Sequence, residues 1–288
     1  MDWPIIFECN ENCISCIYDT RQRGNQGTPF LGEVKDVVDS LDPESNGEND
    51  HITFTGGEPT IRKNFFSILE YTREQYPDMY MAIVTNGRTF SQEEKADKLA
   101  EVVGDNFQAG VAFYSHRPEV HDAVTRVEGS WEDTFQGLKN LIERGIRIEL
   151  RVIVGRYNYK HLEETAEFIK EELSGVERVT FINMKYTGNA YRNRERVFVK
   201  YEDCNPEVQK AVDVLEGEDL ELRMFHFPLC TIEEDYWDYA KGVTKQDQEL
   251  MLLDRCERCA VRDMCPKIWK SYWVISQDES EFEAIKNV

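Results

Sequence analysis

The stretch that decides the fold is FECNENCISC, residues 7–16, which directly follows the first hydrophobic run of the chain. It places Cys9, Cys13 and Cys16 in one loop with the spacing C-x3-C-x2-C. Thiolates this close together suit an iron–sulfur cluster or zinc. A structural zinc site needs a fourth ligand, and the next thirty residues contain neither His nor Cys. A [4Fe–4S] cluster on three cysteines would leave one iron open to a chelating ligand, and the spacing alone leaves both metals possible.

The length and composition predict a cytoplasmic protein with a full hydrophobic core. At 288 residues the chain can form one large α/β domain, or one domain with an appendage. It contains no apolar run near the ~20 residues that a membrane span needs, and its opening MDWPIIFE has no basic region or cleavage site. We therefore expect no membrane contact. Eight cysteines in that compartment indicate metal binding or catalysis more often than disulfides.

The charge balance argues against a nucleic-acid partner. There are 34 basic and 55 acidic residues, which gives a net charge of −21. Binding to nucleic acid draws much of its affinity from phosphate neutralisation by Lys and Arg. The acidic residues are best explained as a solvated surface that keeps the chain soluble. An RNA substrate is disfavoured by this charge, although it is not forbidden.

The order of hydrophobic patterns predicts a parallel sheet with helical crossovers. Ser130 is expected to cap the second predicted helix, and Gly145 to end it. Strands that alternate with helices imply right-handed βαβ units, and a period of roughly 30 residues is typical of a barrel. The predicted strands are 4–8, 51–57, 79–87, 107–115, 147–155 and 177–184, and the predicted helices are 65–76, 131–145 and 161–173.

The pattern breaks down after about residue 195, where a second region begins. This tail holds five of the eight cysteines and one more short predicted strand, 220–227. We therefore expect a barrel domain over residues 1–200 and a cysteine-rich extension over residues 201–288. No linker rich in Pro, Gly or Ser separates them, so the extension is expected to pack against the barrel. Cys204 has no metal-like spacing and is predicted to be a free thiol.

The second predicted strand ends in FTGGEPT, residues 54–60. Its two glycines would let the backbone come close to a ligand, and Glu58 could accept a hydrogen bond from an ammonium group. Such a turn is common by itself. Together, the C-x3-C-x2-C loop after strand one and the GGEP turn after strand two resemble the radical S-adenosylmethionine (radical SAM) superfamily. This resemblance implies an α/β fold, a partial (β/α)6 TIM-type barrel, here with a small cysteine-rich C-terminal extension.

The resemblance also implies a cofactor set. Cys9, Cys13 and Cys16 would hold a [4Fe–4S] cluster whose open iron binds the amino and carboxylate groups of SAM. Reductive cleavage of SAM would release a 5′-deoxyadenosyl radical that abstracts hydrogen from a substrate. The other positions implied for SAM binding are Gly56, Gly57, Glu58, Pro59, Asn86, Ser115, Arg151 and Met184.

Several of these positions have implied roles. The GGE residues would meet the SAM amino group, and Ser115 the ribose or carboxylate. Arg151 would bind the carboxylate, and Met184 would line the adenine. The family usually carries an aromatic or large apolar residue before the third cysteine, where this chain has Ser15, and Tyr18 is the expected substitute. His116 and His121 are predicted to be loop histidines near the barrel mouth, most simply solvated.

A second cysteine set lies in the tail, at Cys230, Cys256, Cys259 and Cys265. With the spacing C-x25-C-x2-C-x5-C, a zinc ribbon is one possible interpretation. The spacing also resembles part of the SPASM/twitch extensions of radical SAM enzymes, which implies an auxiliary [4Fe–4S] cluster on these four thiolates.

A finer resemblance suggests the substrate. Over roughly residues 50 to 270, including NMKYTGNAYRN, the chain is similar to a radical SAM maturase of the His-Xaa-Ser peptide system. This implies oxidative maturation, such as crosslinking, of a ribosomally made peptide, with electrons from a flavodoxin or ferredoxin. Two alternatives stay open. One is a radical SAM enzyme that acts on a small cofactor precursor or an RNA nucleotide, and the other is a non-enzymatic module that binds zinc or a cluster.

Overall fold

The computed structural model describes residues 1–21, 27–42, 51–240 and 247–286. Seven parallel strands form one sheet in chain order, and within these ranges no pairing joins the first strand to the last. The expected α/β partial barrel is confirmed, with a seventh strand added. The strands are β1 (Asp2–Ile6), β2 (His51–Gly56), β3 (Tyr80–Thr85), β4 (Phe107–Ala112), β5 (Arg147–Val154), β6 (Arg178–Asn183) and β7 (Glu221–Phe225).

Helices connect successive strands and cover the sheet. The three predicted helices are confirmed, each within two residues at either end, as α2, α5 and α6 below. In chain order the helices are α1 (Leu31–Asp39), α2 (Phe65–Gln75), α3 (Glu93–Val103), α4 (Pro118–Thr125), α5 (Ser130–Glu143), α6 (Leu162–Glu172), α7 (Gly188–Arg192), α8 (Arg194–Val197), α9 (Tyr201–Leu215) and α10 (Lys270–Ser276). No helix within the described ranges is long and apolar enough to cross a membrane.

Strand β5 shows how the sheet separates its two faces. Its side chains alternate strictly between buried and half-buried, because neighbouring residues of a strand point to opposite faces. The even-numbered residues, Ile148 to Val154, are completely buried in the hydrophobic core. The odd-numbered Glu149 and Arg151 lie instead inside the curved sheet, against Gly110 of β4. Strand β5 therefore contributes one acidic and one basic side chain to the interior of the partial barrel.

The predicted cap at Ser130 is wrong. Ser130 is the first residue of α5, and its buried hydroxyl donates a hydrogen bond to Asp122 Oδ1 at 2.7 Å. Asp122 does the capping, since its carboxylate accepts the backbone N–H groups of Gly129 at 2.7 Å and Trp131 at 2.9 Å. Gly145 does follow the end of this helix, with a left-handed φ of 69°.

The sheet continues beyond residue 200. Helix α9 packs against α6, and β7, which confirms the predicted strand at 220–227, pairs in parallel with β6. The described tail after β7 contains α10 and a small antiparallel pair, β8 (Leu250–Met251) with β9 (Ile268–Trp269). The division into residues 1–200 and 201–288 stays a prediction, and the strand pairing favours Phe225 as the end of the barrel sheet.

Candidate active site

A cavity of about 420 Å³ opens at the carboxyl ends of the parallel strands. This is the end of a barrel where ligand sites are normally built. Predicted site residues that line it are Cys9, Cys13, Cys16, Gly56, Gly57, Glu58, Asn86, Arg151 and Met184. Pro59 and Ser115 are not among its lining residues. The structure therefore brings most of the predicted site residues around one cavity, and their binding roles stay predictions.

The three cysteines of the first loop lie on one side of this cavity. Cys13 is only 8% exposed, and its thiol donates a hydrogen bond to Glu11 Oε2 at 3.1 Å. Burial, and next the Glu11 carboxylate, raise the pKa of Cys13 well above the ordinary thiol value. Bound iron would reverse this, because a coordinating thiol is deprotonated.

The arrangement of these thiols bears on the choice between zinc and a cluster. Within the described ranges, no group of three or more His, Cys, Asp or Glu side chains is arranged to hold a single metal ion. A four-iron cluster is larger than one ion and spaces its thiolates more widely. Cys9, Cys13 and Cys16 line one cavity, so the residues present fit a [4Fe–4S] cluster held by three thiolates.

The GGEP turn is built onto the cysteine loop. The N–H of Gly57 donates to the Ile6 carbonyl at 2.7 Å, and the N–H of Glu58 donates to the Glu8 carbonyl at 2.9 Å. A Cβ at Gly56 would lie 2.0 Å from the Ile6 oxygen, and one at Gly57 would lie 2.0 Å from the Glu8 oxygen. The glycines are therefore required where the turn meets the chain, in addition to any approach of a ligand.

Other protein groups hold the side chain of Glu58 in place. Its side chain is 1% exposed and accepts hydrogen bonds from the Thr60 hydroxyl at 2.6 Å, the Thr85 hydroxyl at 2.7 Å and the Asn86 N–H at 2.7 Å. Burial raises the pKa of this carboxyl, and the hydrogen bonds oppose that rise. Glu58 thus fixes the turn beside the cavity, and its predicted contact with an ammonium group stays a prediction.

Asn86 connects strand β3 to the cysteine loop from a second direction. Its Nδ2 donates to Asn10 Oδ1 at 2.7 Å, and the neighbouring Arg88 donates to the Asn10 carbonyl at 3.1 Å. Arg88 is in turn paired with Asp133 at 2.9 Å. The segment 85–88 therefore fixes the loop that carries the thiols.

Arg151 presents a cation to the cavity. Its side chain is 21% exposed, and its Nε lies 3.9 Å from Glu149 Oε2, too far for a hydrogen bond. This buried Nε has no hydrogen-bond partner within the described part of the chain. A guanidinium with unused donors suits a ligand carboxylate.

Ser115 takes no part in the cavity wall. Its hydroxyl is completely buried and accepts the Arg117 N–H at 3.1 Å, and its carbonyl accepts the Trp131 indole N–H at 3.1 Å. Tyr114 lines the cavity instead. Ala112, the last residue of β4, also lines the cavity, and residues two apart along an extended chain share a face. Sequence reasoning missed Tyr114, although that alternation could have identified it.

The histidine predictions need correction. His121 is completely buried in α4, where its Nδ1 lies 3.4 Å from the Tyr114 N–H that donates to it. Burial lowers the pKa of His121 to about 4, so it is a neutral core residue and not a solvated one. His116 is half-buried, with its Nδ1 2.9 Å from the Thr165 hydroxyl.

Further cavity residues come from segments whose role the sequence did not show. Ser15 and Tyr18 of the cysteine loop both line the cavity, so Tyr18 stays the predicted substitute for the usual aromatic residue. Lys185, after β6, and Trp269, in β9, also line it. The Trp269 indole donates to the Asn183 carbonyl at 3.3 Å. The tail therefore supplies part of the cavity wall.

The four tail cysteines lie close enough to interact. Burial first, and then the neighbouring thiols of Cys265, Cys256 and Cys259, raise the pKa of Cys230 to about 12. None of the eight cysteines, all within the described ranges, forms a disulfide. Cys204 lies apart from this set, completely buried in α9, where burial raises its pKa. The tail set has the composition of a cluster site, and its occupant stays a prediction.

Comparison with known proteins gives three kinds of match. The profile of the radical SAM superfamily matches residues 3–169. The chain is 28% identical to Fe-coproporphyrin III synthase of Methanosarcina barkeri over 233 residues, which are 81% of this chain and 54% of that protein. It is 26% identical to the mycofactocin maturase MftC of Mycobacterium tuberculosis over 167 residues, 58% of this chain and 40% of that protein.

The fold is also similar to that of a solved enzyme complex. The structure of Streptococcus suis SuiB bound to precursor peptide SuiA covers 77% of this chain, and the match spans 47% of SuiB, with a TM-score of 0.60 and 15% identity. At that identity the likeness concerns the fold alone. The chain spans about half the length of the curated relatives it matches.

Proposed function

Because the chain belongs to the radical SAM superfamily, we propose that it is an enzyme that cleaves SAM reductively and abstracts hydrogen from a substrate. Cys9, Cys13 and Cys16 would hold the [4Fe–4S] cluster. When bound, the cluster supplies the electron that breaks the sulfonium bond of SAM. The observation that carries the proposal is that three thiols, the GGEP turn and an under-bonded arginine surround one cavity.

The chain's own residues would bind and orient SAM. Arg151 donates to the SAM carboxylate, for which its unused donors are suited. Met184 and Tyr114 provide apolar surface that excludes water from the reacting centre. Asn86, Arg88 and Glu58 do not need to touch SAM, because they hold the loop and the turn in place.

We propose a ribosomally made peptide as the substrate. Pockets that enclose drug-sized ligands measure roughly 300–1,000 Å³, and this one, at about 420 Å³, lies near the lower end. SAM is itself drug-sized, so little enclosed space remains beside it. A single side chain of a peptide can enter that space while the rest of the peptide stays outside. Similarity to a mycofactocin maturase supports this choice.

A small cofactor precursor is the second candidate. It is favoured by the match to Fe-coproporphyrin III synthase, which extends over 81% of the chain. The two candidates can be separated with anaerobic enzyme, SAM and dithionite. A peptide encoded beside the gene should raise 5′-deoxyadenosine formation and change mass, whereas a tetrapyrrole precursor of iron coproporphyrin III should do neither. The reverse result would replace the peptide with the tetrapyrrole.

We propose that the four tail cysteines hold an auxiliary [4Fe–4S] cluster. Full ligation by Cys230, Cys256, Cys259 and Cys265 would leave no iron open to substrate. Such a cluster suits the acceptance of one electron from the substrate after hydrogen abstraction, which makes the net reaction an oxidation. The reductant for SAM cleavage would be a flavodoxin or ferredoxin.

A further inference from the structure

The segment that follows β6 donates a set of hydrogen bonds to the cysteine loop. Residues 187–193 begin just beyond Met184 and include α7. Their donors reach five different carbonyl groups within residues 13–18. The pairs are Thr187 Oγ1 to Ile17 at 2.9 Å, Asn189 N to Tyr18 at 3.1 Å, Asn189 Nδ2 to Cys13 at 2.9 Å, Ala190 N to Cys16 at 3.1 Å and Asn193 Nδ2 to Ile14 at 3.2 Å. We call residues 187–193 the carbonyl clamp.

Asn189 is the centre of the clamp. It is completely buried, and its Nδ2 donates both to the Cys13 carbonyl and to the Thr20 hydroxyl, each at 2.9 Å. Its Oδ1 accepts the Thr20 N–H at 3.3 Å and a guanidinium N–H of Arg192. One carboxamide therefore ties the middle of the cysteine loop to its end.

Gly188 allows the clamp to come this close. Its φ is 53°, in the left-handed region that favours glycine. A Cβ at this position would lie 2.3 Å from the Tyr18 carbonyl carbon and 2.5 Å from the Ile17 oxygen. Any other residue would push the two backbones apart.

The clamp also determines the direction of the loop carbonyls. None of residues 187–193 lines the described cavity wall, whereas Cys13, Cys16, Ile17 and Tyr18 do. Carbonyl oxygens that accept from the clamp therefore point away from the cavity. Carbonyl oxygens carry partial negative charge, which would disfavour an additional electron on a cluster nearby.

We propose that the carbonyl clamp positions the cluster site: it presents the thiols to the cavity and keeps the reduction potential of the bound cluster from falling. Asn189 and Gly188 are its main positioning residues. This rests on the proposed ligation by Cys9, Cys13 and Cys16. It gives a role to the TGNAYRN segment, which the reaction itself does not use.

The first test uses the metal-free, reduced chain, so it does not depend on the cluster. Peptide mass spectrometry measures the rate at which iodoacetamide alkylates Cys13 in Asn189→Asp and Gly188→Ala. Asn189→Asp keeps the size and the Oδ1 acceptor but replaces the donor to Cys13 with an oxygen. We expect Cys13 to react about tenfold faster in both variants, because a looser loop opens more often. Asn140→Leu, which removes a buried carboxamide that bonds Phe90 and Ser91, should leave that rate unchanged.

The second test measures the reduction potential of the reconstituted first cluster by a redox titration followed by EPR. The potential should be more negative in Gly188→Ala and Asn189→Asp than in wild type and Asn140→Leu. Unchanged Cys13 reactivity and an unchanged potential would overturn the clamp. If wild-type protein took up no cluster at these cysteines, the proposed ligation would be wrong. The alkylation rates alone would then show whether residues 187–193 hold the cysteine loop in place.

Discussion

The backbone N–H of Glu58 donates to the carbonyl of Glu8 at 2.9 Å, across the junction between the GGEP turn and the cysteine loop. The two motifs that are separated by about forty residues in the sequence are therefore one structural unit. Their spatial relation is fixed by backbone contacts that only glycine permits on the β2 side. Substitution of these glycines should therefore displace the cysteine loop, although none of the cysteines that would hold the cluster is changed.

Gly57→Ala tests this junction. Its Cβ would lie 2.0 Å from the Glu8 oxygen, so the turn and the loop must separate. We expect a loss of about 2 kcal/mol or more in the free energy of unfolding, measured by denaturant titration, and lower iron uptake. Gly32→Ala in α1 is the matched control, because its Cβ meets nothing within 4 Å. Equal stability and iron content in the two variants would show that the close contact is unimportant.

Metal analysis tests the two cysteine sets. Anaerobically reconstituted protein should contain about eight irons and eight sulfides, as two [4Fe–4S] clusters. Joint replacement of Cys9, Cys13 and Cys16 with Ala should leave about four irons, because the tail set is independent. Stoichiometric zinc together with only four irons would remove the auxiliary cluster.

Arg151→Gln tests the predicted SAM carboxylate contact. Loss of a charge-assisted hydrogen bond should weaken SAM binding roughly tenfold, as measured by equilibrium dialysis with the oxidised holoprotein. Arg147→Gln is the control, since Arg147 is on the same strand and face but pairs with Glu177 at 2.7 Å and does not line the cavity. An affinity in Arg151→Gln equal to that of the control would exclude Arg151 from SAM binding.

Cys259→Ala tests the role of the tail cluster. If that cluster accepts an electron after hydrogen abstraction, its loss should stop product formation while SAM cleavage largely continues. The measurement counts 5′-deoxyadenosine and modified peptide separately in one reaction. Full product yield would reduce the tail cluster to a structural element, and a product at an unchanged oxidation level would remove its role as electron acceptor.

Local patterns in the sequence predicted most of the sheet and the position of the cysteine loop, because strand alternation and turn residues are local signals. What they missed depends on contacts between distant segments. The pairing of β7 with β6, the burial of His121 and the cap supplied by Asp122 each need a partner that local periodicity does not identify. Ser115 was proposed from the family resemblance, whereas its neighbour Tyr114 lines the cavity, because adjacent residues of an extended chain point to opposite sides. The carbonyl clamp is likewise a contact between segments about 170 residues apart.

The most direct test of the account is the fate of SAM in the reduced holoenzyme. Iron-replete protein, treated anaerobically with dithionite and SAM, should form methionine and 5′-deoxyadenosine in equal amounts, quantified by liquid chromatography and mass spectrometry. Cys13→Ala should form neither, because all three thiolates are needed to hold the cluster. Cys204→Ala, which alters a buried thiol that does not line the cavity, should retain the activity. Absence of 5′-deoxyadenosine from iron-replete wild-type protein, with candidate peptides present, would contradict the account.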